Sequence, residues 1–139
     1  MIKISVLSAS VRPDGLDIVK NCLDKQDFLK EEFEWVVVGN KEVCEKMGHQ
    51  YSSHQILRVV QEKPFRIVVI KEREKREDDF YNIDKAYNDL FKNASGELGV
   101  MWTDLTWAPT TVLTDFWQHY QDNPKACVGG IGHQYEIVE

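Results

Sequence analysis

Apolar residues along the 139-residue chain fall into near-continuous runs and helical stripes, and the two kinds alternate. The run Ile2-Lys3-Ile4-Ser5-Val6-Leu7 reads as a first strand, stopped at Ser8 to Gly15 where Pro13 and Gly15 punctuate a loop. Leu16, Val19, Cys22 and Leu23 then share one stripe, which predicts a helix to about Gln26 capped by Asp14 or Gly15. Phe33-Glu34-Trp35-Val36-Val37-Val38 is a second strand, ended by Gly39-Asn40, with the unbroken apolar character of a buried parallel strand. Val43 and Met47, and then Ile56, Val59 and Val60, predict two short helices around a polar turn at His49 to Ser53. Phe65 to Ile70 is a third strand, and the mixed-sign run Lys71 to Asp79 after it reads as a solvated face. Ile83, Ala86, Tyr87, Leu90, Phe91 and Ala94 recur at helical spacing until Ser95-Gly96 ends that helix. Leu98 to Trp102 is a fourth strand. A last helix runs from about Thr110 to Gln121, with Pro109 near its first turn and Asn123-Pro124 beyond its end, and a fifth strand is expected at Ala126 to Gly129.

This order predicts an α/β fold of Rossmann-like type, a mostly parallel sheet with helices on both faces, formed by one domain over residues 1–139. Ligands of such sheets sit outside the carboxyl ends of the strands. The residues to watch are therefore Ser8 to Arg12, Gly39-Asn40, Glu72 to Arg76 and Thr103 to Thr106.

Composition narrows the function classes. A 42% hydrophobic content with 11% aromatic residues is enough for a packed core and excludes general disorder. The net charge is −6, and Lys and Arg are interleaved with carboxylates, which argues against a nucleic-acid backbone as the main ligand. Cys22, Cys44 and Cys127 are widely spaced and odd in number, so no disulfide framework is implied. No window approaches the roughly 20 apolar residues of a membrane span, and a cytoplasmic protein is expected. Cys44, His49 and His54 have metal-like spacing but offer three ligands where a structural zinc takes four. His119 is expected at or near the surface of the last helix, and no Ser-His-Asp arrangement is legible.

Three segments, taken in order, resemble the nucleotide-sugar-binding half of glycosyltransferase family 2, whose members adopt the GT-A fold. Ile4 to Pro13 resembles the family's opening strand and Arg-Pro loop, one residue shorter. Asn88-Asp89-Leu90-Phe91-Lys92-Asn93-Ala94-Ser95-Gly96-Glu97 and the strand to Thr103-Asp104 resemble its Asn-containing helix, Ala-x-Gly-Glu turn and acidic motif. Pro109, Asn123-Pro124 and Val128-Gly129-Gly130 also fit the family's pattern. Two departures stand out. One carboxylate, Asp104, remains where the family clusters two or three, and Asn40 takes the place of an aspartate that would contact the nucleotide base.

The resemblance implies a protein that binds a UDP- or GDP-linked sugar through Ser8, Ala9, Ser10, Arg12, Asn40, Asn88, Trp102, Thr103 and Asp104. It further implies Mn²⁺ or Mg²⁺ held at Asp104, and glycosyl transfer to an acceptor hydroxyl. The family's acceptor region and catalytic carboxylate lie well beyond the acidic motif, so the general base is expected to be absent from this chain and the catalytic residues stay unassigned. Self-association or a partner subunit would then complete the acceptor side. Against each functional role stands a structural one: Asp104 as a turn or cap residue, Arg12 as a solvated loop residue, Asn88 as a structural hydrogen-bonding group, and Trp102 as core. Trp107, in the loop after Asp104, is expected in the core with Trp102 and Trp117, or alternatively as a sugar- or acceptor-facing ring. The rival class is a non-catalytic binding or assembly module that kept the fold and lost the acidic cluster. A phosphoacceptor receiver domain needs clustered carboxylates after the first strand, and Ser8-Ala9-Ser10 supplies none.

Overall fold

A computed structural model of the chain describes residues 1–48, 57–74, 76 and 83–130. Among the described residues five strands form one sheet in the order β3-β4-β2-β1-β5, with β1 at Ile4–Ser10, β2 at Phe33–Gly39, β3 at Leu57–Gln61, β4 at Arg66–Lys71 and β5 at Leu98–Met101. Neighbours β4, β2, β1 and β5 run parallel, and β3 pairs antiparallel to β4 at the edge. The mostly parallel α/β sheet expected from the alternation of elements is therefore present.

The pleat sorts side chains to two cores. Ile4, Val6, Phe33, Trp35 and Val37 point to one face, where α1 (Gly15–Asp24) contributes Leu16, Val19, Cys22 and Leu23. The same face receives Val43 and Cys44 from α2 (Lys41–Lys46) and Leu113 from α4 (Val112–Asp122). Leu7, Val36, Val38, Val68 and Ile70 point the other way, onto Leu90 of α3 (Ile83–Asn93). Because both faces are covered, β2 carries no exposed residue, which is why its sequence lacks polar alternation.

The second half of the 41–63 segment corrects the sequence reading. Leu57–Gln61 is a strand rather than a helix, with a register irregularity between Val59 and Gln61 that leaves Val60 as an extra residue. Alternation explains it: Val59 packs on the α3 side and Val60 on the α1 side, a period of two that a short window does not separate from a helical stripe. Ala126 to Gly129 is also corrected. It is exposed irregular chain, entered by a turn in which Ala126 N–H donates to the Asn123 carbonyl.

Two polar side chains fasten the frame where sequence patterning is silent. Buried Gln26 donates to the carbonyls of Cys22 (3.2 Å) and Pro109 (2.9 Å), and its Oε1 accepts the Leu113 N–H at 3.1 Å, joining the end of α1 to the start of α4. Buried Glu34 accepts from Ser5 Oγ at 2.7 Å and from the Ser95 N–H at 2.8 Å, while the Gly96 N–H donates to Ser5 Oγ at 2.8 Å. The Ser95-Gly96 turn is thus pinned to the sheet. A Cβ on Gly96 would stand 2.7 Å from the Ser5 nitrogen, so only glycine fits that approach.

Candidate functional site

The loops leaving β1 and β5 meet at Asp104. Ser10 Oγ donates to Asp104 Oδ2 at 2.8 Å, and Arg12 grips both carboxylate oxygens, Nε to Oδ2 at 3.0 Å and Nη2 to Oδ1 at 2.8 Å. This two-pronged pair is the strong form of an arginine–carboxylate contact. Its partners differ in exposure: the Asp104 side chain is 11% exposed and that of Arg12 is 62% exposed. The carboxylate is therefore the anchor and the guanidinium presents its outer edge to solvent.

Local backbone shapes this junction. The Arg12 N–H donates to Ser10 Oγ at 3.0 Å, a short side-chain turn that folds the loop back after β1. On the other side, Leu105 adopts a left-handed φ of 57°, its N–H donates to the Gly15 carbonyl at 2.9 Å, and Trp102 Nε1 donates to the Thr106 carbonyl at 2.8 Å. Thr103 and Thr106 hydroxyls sit 2.9 Å apart. A non-glycine residue held at positive φ costs of order 1–3 kcal/mol and persists only where its surroundings impose it.

The other expected site residues divide. Asn40 joins the cluster through the chain: its Nδ2 donates to the Val11 carbonyl at 3.3 Å, linking the ends of β1 and β2. Its Oδ1 accepts the Val43 N–H at 3.0 Å and so caps α2. Ser8 is buried and committed to structure, receiving Trp35 Nε1 at 2.9 Å and donating to the Trp102 carbonyl at 2.6 Å. Trp102 is buried in the α1-side core, whereas Ala9 faces the α3 side. Thr103 is exposed beside Asp104, and Asn88 is exposed on α3, across the sheet from the α1 side. The structure therefore brings together Ser10, Arg12, Asn40, Thr103 and Asp104, and not Ala9 or Asn88.

Of the two cap positions expected for α1, Asp14 or Gly15, Asp14 holds the N-cap, and its side chain makes no cap bond. It pairs instead with Lys46 Nζ at 2.7 Å, which also reaches Asp17 at 2.9 Å and ties α2 to the first turn of α1. The hydrogen bond to Lys46 holds the Asp14 carboxyl below its ordinary value, and the same two partners raise the Lys46 ammonium. Arg73, expected on a solvated face, is fixed to α3 by a 3.0 Å bond to Asp89 Oδ2 and a 3.2 Å bond to the Lys85 carbonyl. His119 is exposed, Trp107 is 72% exposed in the loop after β5 rather than in the core, and His49 and His54 lie outside the described residues.

A cleft of about 320 Å³ opens beside this cluster, between the start of α1, the end of α2 and the edge strand β3. Its floor is Leu16, Trp35, Val60 and Ile67 and its rim carries Asp17, Lys20 and Lys46; of the β1 loop it touches Pro13, and Arg12, Asn40 and Asp104 are not in its lining.

The residues at the strand ends do not make a cradle for Mn²⁺ or Mg²⁺. One carboxylate is present, three of its lone-pair directions are taken by Ser10 and Arg12, and a guanidinium occupies the place a cation would need. Among the described residues no group of three or more His, Cys, Asp or Glu side chains is placed to hold a metal ion. No helix among them is long and apolar enough to cross a membrane.

Sheet order, two-sided helix cover and an acidic residue closing β5 define a GT-A-like α/β architecture. No protein-family model and no curated protein sequence matches the chain. Among solved structures it is similar to residues 1–349 of TarS from S. aureus, a family 2 glycosyltransferase, with a TM-score of 0.65 and 21% identity, covering 96% of this chain and 39% of that one. The same TarS region in complex with UDP matches with a TM-score of 0.63 at 21% identity, covering 96% of this chain and 38% of that one. Its complex with UDP-GlcNAc matches at 0.60 and 19%, covering 96% and 37%. At this identity the likeness is one of fold, and the chain spans well under half the length of these relatives.

Proposed function

We propose that residues 1–139 act as one domain that binds a nucleotide-diphosphate sugar at the carboxyl ends of β1, β2 and β5, as the donor-binding part of a glycosyl-transfer system. The observation that carries this reading is the junction of Ser10, Arg12 and Asp104, which puts an exposed guanidinium edge at the strand ends. Its support is the fold shared with TarS, solved with UDP and with UDP-GlcNAc. Planar guanidinium edges suit phosphate oxygens, and a diphosphate leaving group needs its growing negative charge stabilised. Arg12 supplies that stabilisation in this reading. Asp104 orients Arg12, Asn40 braces the loop that carries it, and Thr103 offers a hydroxyl beside the sugar or ribose. No residue of the chain is assigned as general base.

Calorimetric titration with UDP, GDP and UDP-GlcNAc tests the reading. Binding of at least one of them, weakened tenfold or more by Asp104→Ala, is the expected result. Absence of binding by all three, or binding indifferent to Asp104, overturns it. A second reading, a binding module without turnover, is favoured by the lone carboxylate being already neutralised by Arg12. Donor binding without release of free sugar from UDP-GlcNAc would select it.

A further inference from the structure

We infer that Arg12 serves as the resident cation of the donor site, so that the diphosphate is bound without a divalent metal ion. The inference rests on the nucleotide-sugar reading above and specifies how its charge is balanced. A metal-dependent diphosphate site carries an excess of carboxylate to hold a doubly charged ion. Here Thr103 and Leu105 flank Asp104, and the one carboxylate is matched by one guanidinium.

Geometry makes that guanidinium usable. Asp104 engages Nε and one hydrogen of Nη2, which leaves both Nη1 hydrogens and the second Nη2 hydrogen for another acceptor. The Arg12 side chain is 62% exposed, so those donors face solvent at the strand ends. Ser10 holds the other side of Asp104 and also receives the Arg12 N–H, so the donor fork is oriented before any ligand arrives. A divalent ion reaching Asp104 would have to take the one remaining lone-pair direction on Oδ1 or displace Arg12, and in either case would lie close to the guanidinium's positive charge.

The test is calorimetry of UDP with the intact chain in EDTA and in Mn²⁺, with free Mn²⁺ followed by electron paramagnetic resonance. Affinity in EDTA within about threefold of that in Mn²⁺, and no Mn²⁺ taken up by the chain without nucleotide, is expected. Arg12→Gln should weaken UDP about tenfold or more in EDTA, with Arg12→Lys intermediate because it keeps the charge and loses the fork. UDP binding that appears only with Mn²⁺, or that ignores Arg12→Gln, overturns the inference while leaving the nucleotide site standing. No UDP binding in either condition overturns the inference together with the UDP form of the donor reading.

Discussion

A Cβ atom on Gly15 would stand 3.1 Å from both Cβ and Oδ2 of Asp104. The first turn of α1 is therefore a wall against which the carboxylate rests, and glycine gives it room. Gly15→Ala adds that methyl group in a helical turn where alanine is otherwise favoured by roughly 0.5–1 kcal/mol. Stability should change little, because local gain and steric displacement oppose each other. Donor affinity should fall by about threefold to tenfold as Asp104 and its Arg12 fork shift by a few tenths of an ångström. Thermal denaturation read beside UDP titration checks the split, and unchanged affinity would show that the carboxylate position is not critical.

Leu105 follows Asp104 in the left-handed region, with φ 57°, and its side chain is 54% exposed. Little burial offsets that backbone cost. Leu105→Gly removes a penalty of about 1–2 kcal/mol and adds about 0.4–1 kcal/mol of unfolded-state entropy, so its stability should equal or slightly exceed wild type. Leu105→Val, branched at Cβ, should lose about 1 kcal/mol or more. Urea unfolding of the pair gives the order, and Val above Gly would mean the turn conformation differs from that described.

Glu34 is 1% exposed and bonds the turn after α3 through Ser95 and, by way of Ser5, Gly96. Its second oxygen lies 3.9 Å from Arg66 Nε, which has no hydrogen-bond partner. Glu34→Ala strands the Ser95 N–H and takes the acceptor from the Ser5 hydroxyl, at about 1–3 kcal/mol for each unpaired group. Glu34→Gln keeps an acceptor for Ser5 and Ser95 and loses only a long, imperfect ion pair. The expected order of stability in urea is wild type, then Gln, then Ala. A Gln variant as unstable as Ala would locate the stabilisation in the charge rather than in the acceptor.

Much of the frame was legible because burial on both faces writes itself as apolar runs: β1, β2, β4, β5, α1, α3 and α4 all fall within a few residues of their expected places. The antiparallel edge strand β3 was not, since Val59 and Val60 serve opposite cores in too short a window to show a period. Nor was the irregular chain at Ala126 to Gly129, where apolar composition suggested a strand without a neighbour to pair with. In the site, strand-end position pointed to Ser10, Arg12 and Asp104. The bond between residues 92 positions apart, which decides that Arg12 faces Asp104 rather than solvent alone, belongs to the fold and not to any local pattern. Glu34 went unmarked because a lone carboxylate in an apolar run carries no spacing signal.

Cys44 lies buried in α2, with Sγ 3.4 Å from the Gly39 carbonyl, and burial pushes its thiol up to about 11, helped by Glu72 and Glu45 and opposed by Lys71. The folded chain therefore keeps this proton when the unfolded chain, near 9.0, has released it. Between these values the native state binds more protons than the unfolded state, so stability falls as pH rises through that window, by at most about 2–3 kcal/mol. Below about pH 9 both states are protonated and the contribution is flat. Cys44→Ala should be less stable at neutral pH from its small cavity, yet lose less on going from pH 8.5 to 10.5, a difference that cancels the titration of tyrosines and lysines common to both proteins. A thiol reagent at pH 8 should label exposed Cys127 rapidly and buried Cys22 and Cys44 only on unfolding. Rapid labelling of Cys44 in Cys127→Ser, located by peptide mapping, or identical pH slopes for wild type and Cys44→Ala, would place Cys44 in a more open setting than the one between α2 and the sheet.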